Sequence, residues 1–151
     1  MKLTPTRLAL AVLSIAGTVL AGSKVAPVNA DKKGLALHGY DPVSYFEQDK
    51  PQPGSETFAY TFMGATWRFV SAENRKKFAR DHEMYMPQFG GYCAKAVSEN
   101  HTADVDPLAY KIVNGKLYLN YDLKVQKLWE KDIPGRIAKA EVNWPGLHAA
   151  E

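Results

Sequence analysis

Residues 57–78, TFAYTFMGATWRFVSAENRKKF, decide the fold. Aromatic residues alternate with small or polar ones up to Phe62, and the alternation resumes in residues 66–70 after a short Gly-containing break. A two-residue period is typical of a half-buried strand, so this stretch predicts a β-hairpin. Ser71 follows the second strand as a good helix N-cap residue and predicts a helix that runs to about Asp81.

A second hairpin is predicted downstream, where AYKIV and KLYLNY flank Asn114-Gly115. That dipeptide suits the positive φ angles of a type I′ turn. The other elements are predicted as a short strand or loop (35–46), one or two helical turns (92–98), and two helices (123–131 and 133–142), the second ending before Pro145. This order predicts an α+β fold, with a small antiparallel sheet from two β-hairpins packed with three to four short helices.

The N-terminal residues 1–30 have the pattern of a cleavable signal peptide: a basic start without acidic residues, then an apolar run over residues 8–21. That run is shorter than the roughly 20 residues that cross a bilayer. Small residues favour cleavage after Ala30, before a polar stretch; cleavage after Ala21 satisfies the same rule. The prediction is a signal peptide at 1–30 and one domain at 31–151, periplasmic or secreted, without a membrane segment after cleavage.

Charge and cysteine content restrict the function of residues 31–151. Removing the three basic residues of the signal leaves 16 Lys and Arg against 16 Asp and Glu. A near-neutral domain without a basic stripe is not expected to bind nucleic acid. Cys93 is the only cysteine, so no intrachain disulfide forms, and its thiol is either buried and inert or accessible for a function.

Five blocks in this order resemble the secreted branch of the YHS-domain family: GYDPVSYF (39–46), WRFVSAENRKKF (67–78), YMPQFGGYCA (85–94), GKLYLNY (115–121) and NWP (143–145). They cover nearly all of residues 31–151. The resemblance implies sulfur chemistry at Cys93, where some relatives place selenocysteine. Metal-associated YHS modules carry further cysteines in two blocks that here contain Ser44 and the cysteine-free run 70–78, so a structural zinc is not implied.

Cys93 is therefore the central candidate, as a catalytic thiol or a metal ligand. It follows two glycines and is predicted to open a helix, where backbone N–H groups and the helix dipole favour a thiolate. Gly90 and Gly91 would let a ligand or a partner sulfur approach the backbone, and Tyr92 would cover the site. The alternative is a small buried hydrophobic residue.

Tyr40 and Asp41, in the first of the five blocks, are the other candidate walls of the site. The remaining aromatic residues of the blocks are expected in the core. Asp41 precedes Pro42 and is equally suited to fixing a turn through its side chain.

Copper is the candidate cofactor. His38 lies just before the first block and could join Cys93 in a two-ligand soft site for monovalent copper, assisted by Met84 or Met86. The alternative for His38 is a solvated surface side chain, and His82, His101 and His148 are weaker candidates.

Three hypotheses stay open: a soft-metal-binding module, a redox-active thiol acting on a thiol partner, and a noncatalytic interaction domain with a structural cysteine. The oligomeric state and any turnover are left open too.

Overall fold

The computed structural model describes residues 23–150, and the predicted apolar run of the signal lies outside them. The elements are α1 (Ser44–Glu47), β1 (Ser55–Phe62), β2 (Ala65–Phe69), α2 (Ala72–Arg80), α3 (His82–Tyr85), α4 (Ala94–Ser98), β3 (Asp106–Val113), β4 (Lys116–Asn120), α5 (Leu123–Trp129) and α6 (Ile133–Leu147). Short 3₁₀ turns lie at Leu37–Gly39, Gln88–Gly91 and Glu130–Asp132. The predicted α+β class is confirmed.

Both predicted hairpins are present and antiparallel. Tyr60 pairs with Trp67 in the first hairpin, and the second turns through Asn114 and Gly115, whose φ angles are 51° and 74°. The hairpins form two separate two-stranded sheets in the described part of the chain, whereas a single small sheet was predicted. They stay apart because each buries its inner face in a different part of the core.

The core consists of three clusters of buried side chains. The first includes Val28, Trp67, Phe69 and Phe78; the second Leu37, Tyr45, Cys93, Leu117 and Leu119; the third Phe89, Val97, Tyr118 and Trp129. Strand β4 contributes to two clusters, since successive side chains of a strand point to opposite faces. It therefore lies between the second and third clusters and holds α4, which carries Cys93, in place.

The predicted start of α2 is confirmed, and the predicted end of α6 is wrong. The Ser71 hydroxyl accepts a hydrogen bond from Asn74 N at 3.1 Å, as an N-cap does. Helix α6 continues through Pro145 to Leu147. Proline removes one backbone donor close to the C-terminal end of the helix, and Trp144 and Leu147 pack against the third cluster there.

Residues 25–30, which precede the predicted boundary at residue 31, contact the rest of the domain. Val28 is 3% exposed and belongs to the first cluster, and the backbone of Val25 pairs with that of His148. Residues 25–30 are therefore part of the packed structure.

Within residues 23–150, none of the helices has the length and apolar character needed to cross a bilayer.

Candidate functional site

Cys93 is the N-cap residue of α4, one position before the first helical residue. The predicted helical turns are present, but the sulfur lies just ahead of the first turn. Its backbone N–H donates to Ala103 O at 3.0 Å, and its carbonyl accepts from Val97 N at 3.0 Å. The residue is 1% exposed and packs in the second cluster. The chain thus fixes the cysteine through both its backbone and its burial.

Asn120, at the end of β4, is the polar partner of the thiol. Cys93 Sγ donates to Asn120 Oδ1 at 3.6 Å, and Lys95 N donates to the same oxygen at 3.3 Å. The side chain of Asn120 is fully buried and caps α4 in place of its own N-cap residue. This hydrogen bond uses the protonated thiol, so the helix N–H that was expected to face a thiolate is bonded to an amide oxygen.

A groove of about 180 Å³ reaches Cys93 from the surface. Its lining residues are Cys93, Lys95, Ala96, Glu99, His101, Ala103, Tyr121 and Val125. Cys93 is one of the lining residues, although it is only 1% exposed. A small ion can approach along such a groove more easily than a protein side chain.

His101 is held in the groove wall by the end of α4. Its backbone N–H donates to Ala96 O at 3.1 Å, and its Nδ1 lies 3.4 Å from Glu99 O. A carbonyl accepts only, so Nδ1 carries the proton in this contact. In the neutral ring this contact leaves the Nε2 lone pair as the ligand position, the arrangement that metal-binding histidines use.

The charges at the rim of the groove are paired. Lys95 Nζ lies 2.6 Å from Glu99 Oε1, and Arg136 reaches the same oxygen at 2.9 Å. The hydrogen bond from Lys95 is the main reason that the pKa of the Glu99 carboxyl is lowered, with Arg136 adding to it against the opposing effect of burial. This carboxylate is therefore ionised and satisfied by its own cations.

His38 faces Asp104 and does not line the groove. Its Nε2 lies 2.8 Å from Asp104 Oδ1, which also accepts from Asn29 Nδ2 at 2.9 Å and Val105 N at 2.8 Å. His38 is exposed and adopts a positive φ of 50°. The ring of this predicted copper ligand is thus engaged by a surface carboxylate.

The two methionines proposed to assist copper lie in other parts of the fold. Met86 packs against the first cluster, whereas Cys93 belongs to the second. Met84 is 47% exposed and borders the Asn114–Gly115 turn. Residues 23–150 contain no group of three or more His, Cys, Asp or Glu side chains that could hold a metal ion, so an ion bound at Cys93 would have few protein ligands.

Acidification is expected to loosen the contacts of Asp104. Burial acts to raise the pKa of this carboxyl, but hydrogen bonds from Asn29, Val105 and His38 outweigh burial and lower it. A lowered folded-state pKa gives stability that is present above the ordinary Asp value and is lost as the pH falls through the folded value. The side chain is 54% exposed, so we expect its contacts to contribute less than about 1 kcal/mol to the free energy of unfolding. Urea unfolding between about pH 6 and about pH 2 measures this, and Asp104→Asn should flatten that part of the profile; an unchanged profile would contradict the assignment.

Asp41, a predicted site wall, is a buried structural carboxylate. It is 0% exposed. Oδ1 accepts from Val43 N at 2.7 Å and Ser44 N at 3.2 Å, and Oδ2 accepts from Val70 N at 2.9 Å and Asn74 Nδ2 at 2.8 Å. The turn-fixing role is the one that the structure shows. By accepting from the N–H groups of Val43 and Ser44, Asp41 fixes the start of helix α1, where a short strand or loop was predicted.

Tyr40 packs against the second cluster, the one that contains Cys93. Its backbone forms an isolated antiparallel bridge with Pro53. It therefore borders the buried surroundings of the thiol but not the groove.

Gly90, Gly91 and Tyr92 contact the N-terminal segment of this chain, where a ligand was expected. Gly90 has a φ of 60°, and a Cβ added there would overlap the carbonyl of Pro27. Asn29 contacts both glycines, with its N–H bonded to Gly90 O at 2.9 Å and its Nδ2 to Gly91 O at 3.3 Å. The Tyr92 hydroxyl donates to a backbone carbonyl of the same segment at 3.1 Å. The close approach predicted for this block is present, but it is made by the protein's own backbone.

The site therefore combines predicted and unforeseen residues. Cys93 lies at its centre. Asn120 is its hydrogen-bond partner, and His101 lines the same groove. His38 and the two glycines were predicted there instead. Asn120 could have been suspected as a polar residue ending an apolar strand; His101 carries no comparable signal. Comparison of the chain with protein-family models, with curated proteins and with solved structures finds no match.

Proposed function

We propose that this chain is an exported YHS-like domain that binds a soft metal ion, monovalent copper, through the Cys93 sulfur. The observation that carries the proposal is the groove shared by Cys93 and His101. Thiolate sulfur is a ligand that selects monovalent copper, and imidazole nitrogen also suits copper. His101 accordingly takes the place of His38 as the proposed second ligand.

Binding requires one proton transfer. The ion binds the thiolate, so the Cys93 proton leaves to solvent and the hydrogen bond to Asn120 Oδ1 is given up. Copper affinity should then rise with pH. The neutral tautomer of His101 that donates from Nδ1 to Glu99 O presents its Nε2 lone pair to the ion.

The groove favours metal binding over thiol exchange. A disulfide forms by attack of one sulfur on another, which requires access to the sulfur. At 1% exposure Cys93 meets that requirement poorly, whereas a bare ion needs far less space. A redox reaction with a thiol partner is therefore the weaker hypothesis.

A structural cysteine is the second candidate, and its burial and its hydrogen bond to Asn120 favour it. A free buried cysteine packs as a small hydrophobic residue with a weak S–H donor. In that case the domain would act through its surface, without chemistry at the sulfur.

A titration with monovalent copper under anaerobic conditions separates these functions. We expect one bound ion, detected by native mass spectrometry, and loss of binding in Cys93→Ser, whose hydroxyl can still donate to Asn120. His101→Gln should weaken binding at least about tenfold, as expected for loss of one ligand from a sparse site. His38→Gln is the matched control and should leave affinity unchanged.

Three results would contradict the proposal. Copper binding that survives Cys93→Ser would place the ion elsewhere, and an affinity lost in Cys93→Ser and His38→Gln but kept in His101→Gln would restore the original ligand pair. Absence of binding, together with alkylation of Cys93 by iodoacetamide only after unfolding, would leave the structural cysteine.

A further inference from the structure

Residues 25–30 close the fold at its N-terminal end, although they belong to the predicted signal peptide. Val25 N donates to Leu147 O at 3.0 Å, and Ala149 N donates to Val25 O at 2.9 Å. The segment thus pairs with the last residue of α6 and the residues after it, and Ala30 pairs with Ala36 at its other end.

Val28 and Asn29, in the middle of the segment, contact the first cluster on one side and the residues around Gly90 and Asp104 on the other. Val28 is 3% exposed and packs in the first cluster. Asn29 bonds to Gly90 O through its backbone and to Asp104 Oδ1 at 2.9 Å through its side chain. The positive φ of Gly90 and the absence of a side chain there are what allow Pro27 to pass.

Cleavage after Ala30 would remove all of these contacts. The first cluster would lose Val28 and gain a cavity, and the carbonyls of Gly90 and Leu147 would lose their partners. The new terminus would be Asp31, whose N–H donates to Leu35 O at 3.0 Å in the complete fold. The pairing of residues 30 and 36 would be lost together with Ala30.

Cleavage after Ala21 keeps the whole segment. Ala21 satisfies the small-residue requirement of signal peptidase as well as Ala30 does. The residues between it and the packed segment include Ser23 and Lys24, both exposed, so a terminus there disturbs no described contact. We propose that the export signal is removed after Ala21 and that residues 22–30 remain as the N-terminal segment of the mature domain.

The site of cleavage is measured directly on the exported protein. The full chain is produced in a Gram-negative bacterium, released from the periplasm and analysed by intact mass and N-terminal sequencing. We expect a terminus at Gly22. A terminus at Asp31 would overturn the inference, and an uncleaved chain retained in the cell would overturn it together with export itself; neither result bears on copper binding at Cys93.

Paired variants test which alanine the peptidase uses. Ala21→Arg should stop processing, because the residue before the cut must be small. Ala30→Arg is the matched control, since Ala30 is exposed, and it should leave the Gly22 terminus unchanged. Processing that continues in Ala21→Arg but stops in Ala30→Arg would contradict the inference.

The stability of the two possible products provides an independent readout. The protein that starts at Asp31 should melt at least roughly 10 °C below the one that starts at Gly22. If it does not fold, Val28→Ala in the longer protein should still lower the melting temperature by roughly 5 °C. Equal melting temperatures for both pairs would show that the segment is dispensable and would overturn the inference.

Discussion

Replacing Asp41 by alanine is expected to destabilise the domain by about 4 kcal/mol. Four donors converge on this fully buried carboxylate. Removing it leaves the N–H groups of Val43 and Val70 without an acceptor, while Asn74 Nδ2 keeps only its hydrogen bond to Gln48 Oε1 at 2.9 Å. Each such group loses its hydrogen bond and retains the cost of its desolvation. Urea unfolding followed by tryptophan fluorescence measures the loss.

Asp122→Ala is the matched control for Asp41→Ala. Asp122 also accepts from a helix N–H, Val125 N at 2.7 Å, but it makes only this one cap contact. Its loss should cost about 1 kcal/mol. Asp41→Asn should fall between the two variants, because its amide nitrogen would face a donor where an oxygen now accepts. Equal effects of Asp41→Ala and Asp122→Ala would contradict the structural role of Asp41.

Gly90→Ala is the second substitution for which a large loss is expected, about 3–4 kcal/mol. The φ of 60° is unfavourable for alanine, and the new methyl group would overlap the carbonyl of Pro27. Part of the N-terminal segment must then move away from the domain. Amide exchange at Asn29, whose N–H now donates to Gly90 O, should become faster in the variant.

Gly115→Ala separates the two causes. Gly115 also has a positive φ, 74°, but a Cβ there meets nothing within 4 Å. Its substitution should cost only the backbone strain, about 1–2 kcal/mol. If both variants lose the same stability, the approach of Pro27 to Gly90 contributes nothing measurable. Asn29 exchange should be unaffected in Gly115→Ala.

The elements that could be predicted from sequence are those governed by local rules. Alternating side chains located both hairpins, Asn114-Gly115 located the second turn, and Ser71 located the start of α2. In each case the residues that form the element also carry its signal. The α+β class follows from their order along the chain.

Elements that depend on distant contacts were missed. Helix α1 forms because Asp41 holds its first N–H groups while bonded to Val70, far away in sequence. Helix α6 continues past Pro145 because the third cluster covers its end. Residues 25–30 have the composition of a signal region, and only the fold reveals Val28 in the core.

The candidate site divides in the same way. Cys93 was identifiable as the only cysteine and from the resemblance of its block, and its position at the start of a short helix follows from the preceding glycines. Of its neighbours, only Asn120 carried a signal, as a polar residue at the end of an apolar strand; His101 lines the same groove from the loop after α4 and carried none. His38 lies just before the GYDPVSYF block in sequence, but its ring contacts Asp104.

The hydrogen bonds of Val25 join the N-terminal segment to the C-terminal end of the domain. The N–H and the carbonyl of Val25 are bonded to Leu147 and Ala149, so detachment of either segment breaks both of the hydrogen bonds that the two segments share. Fraying concentrates near the ends of a domain, and fraying of Val25 leaves Leu147 O and the N–H of Ala149 without their partners. A protease that trims one terminus would thereby loosen the other.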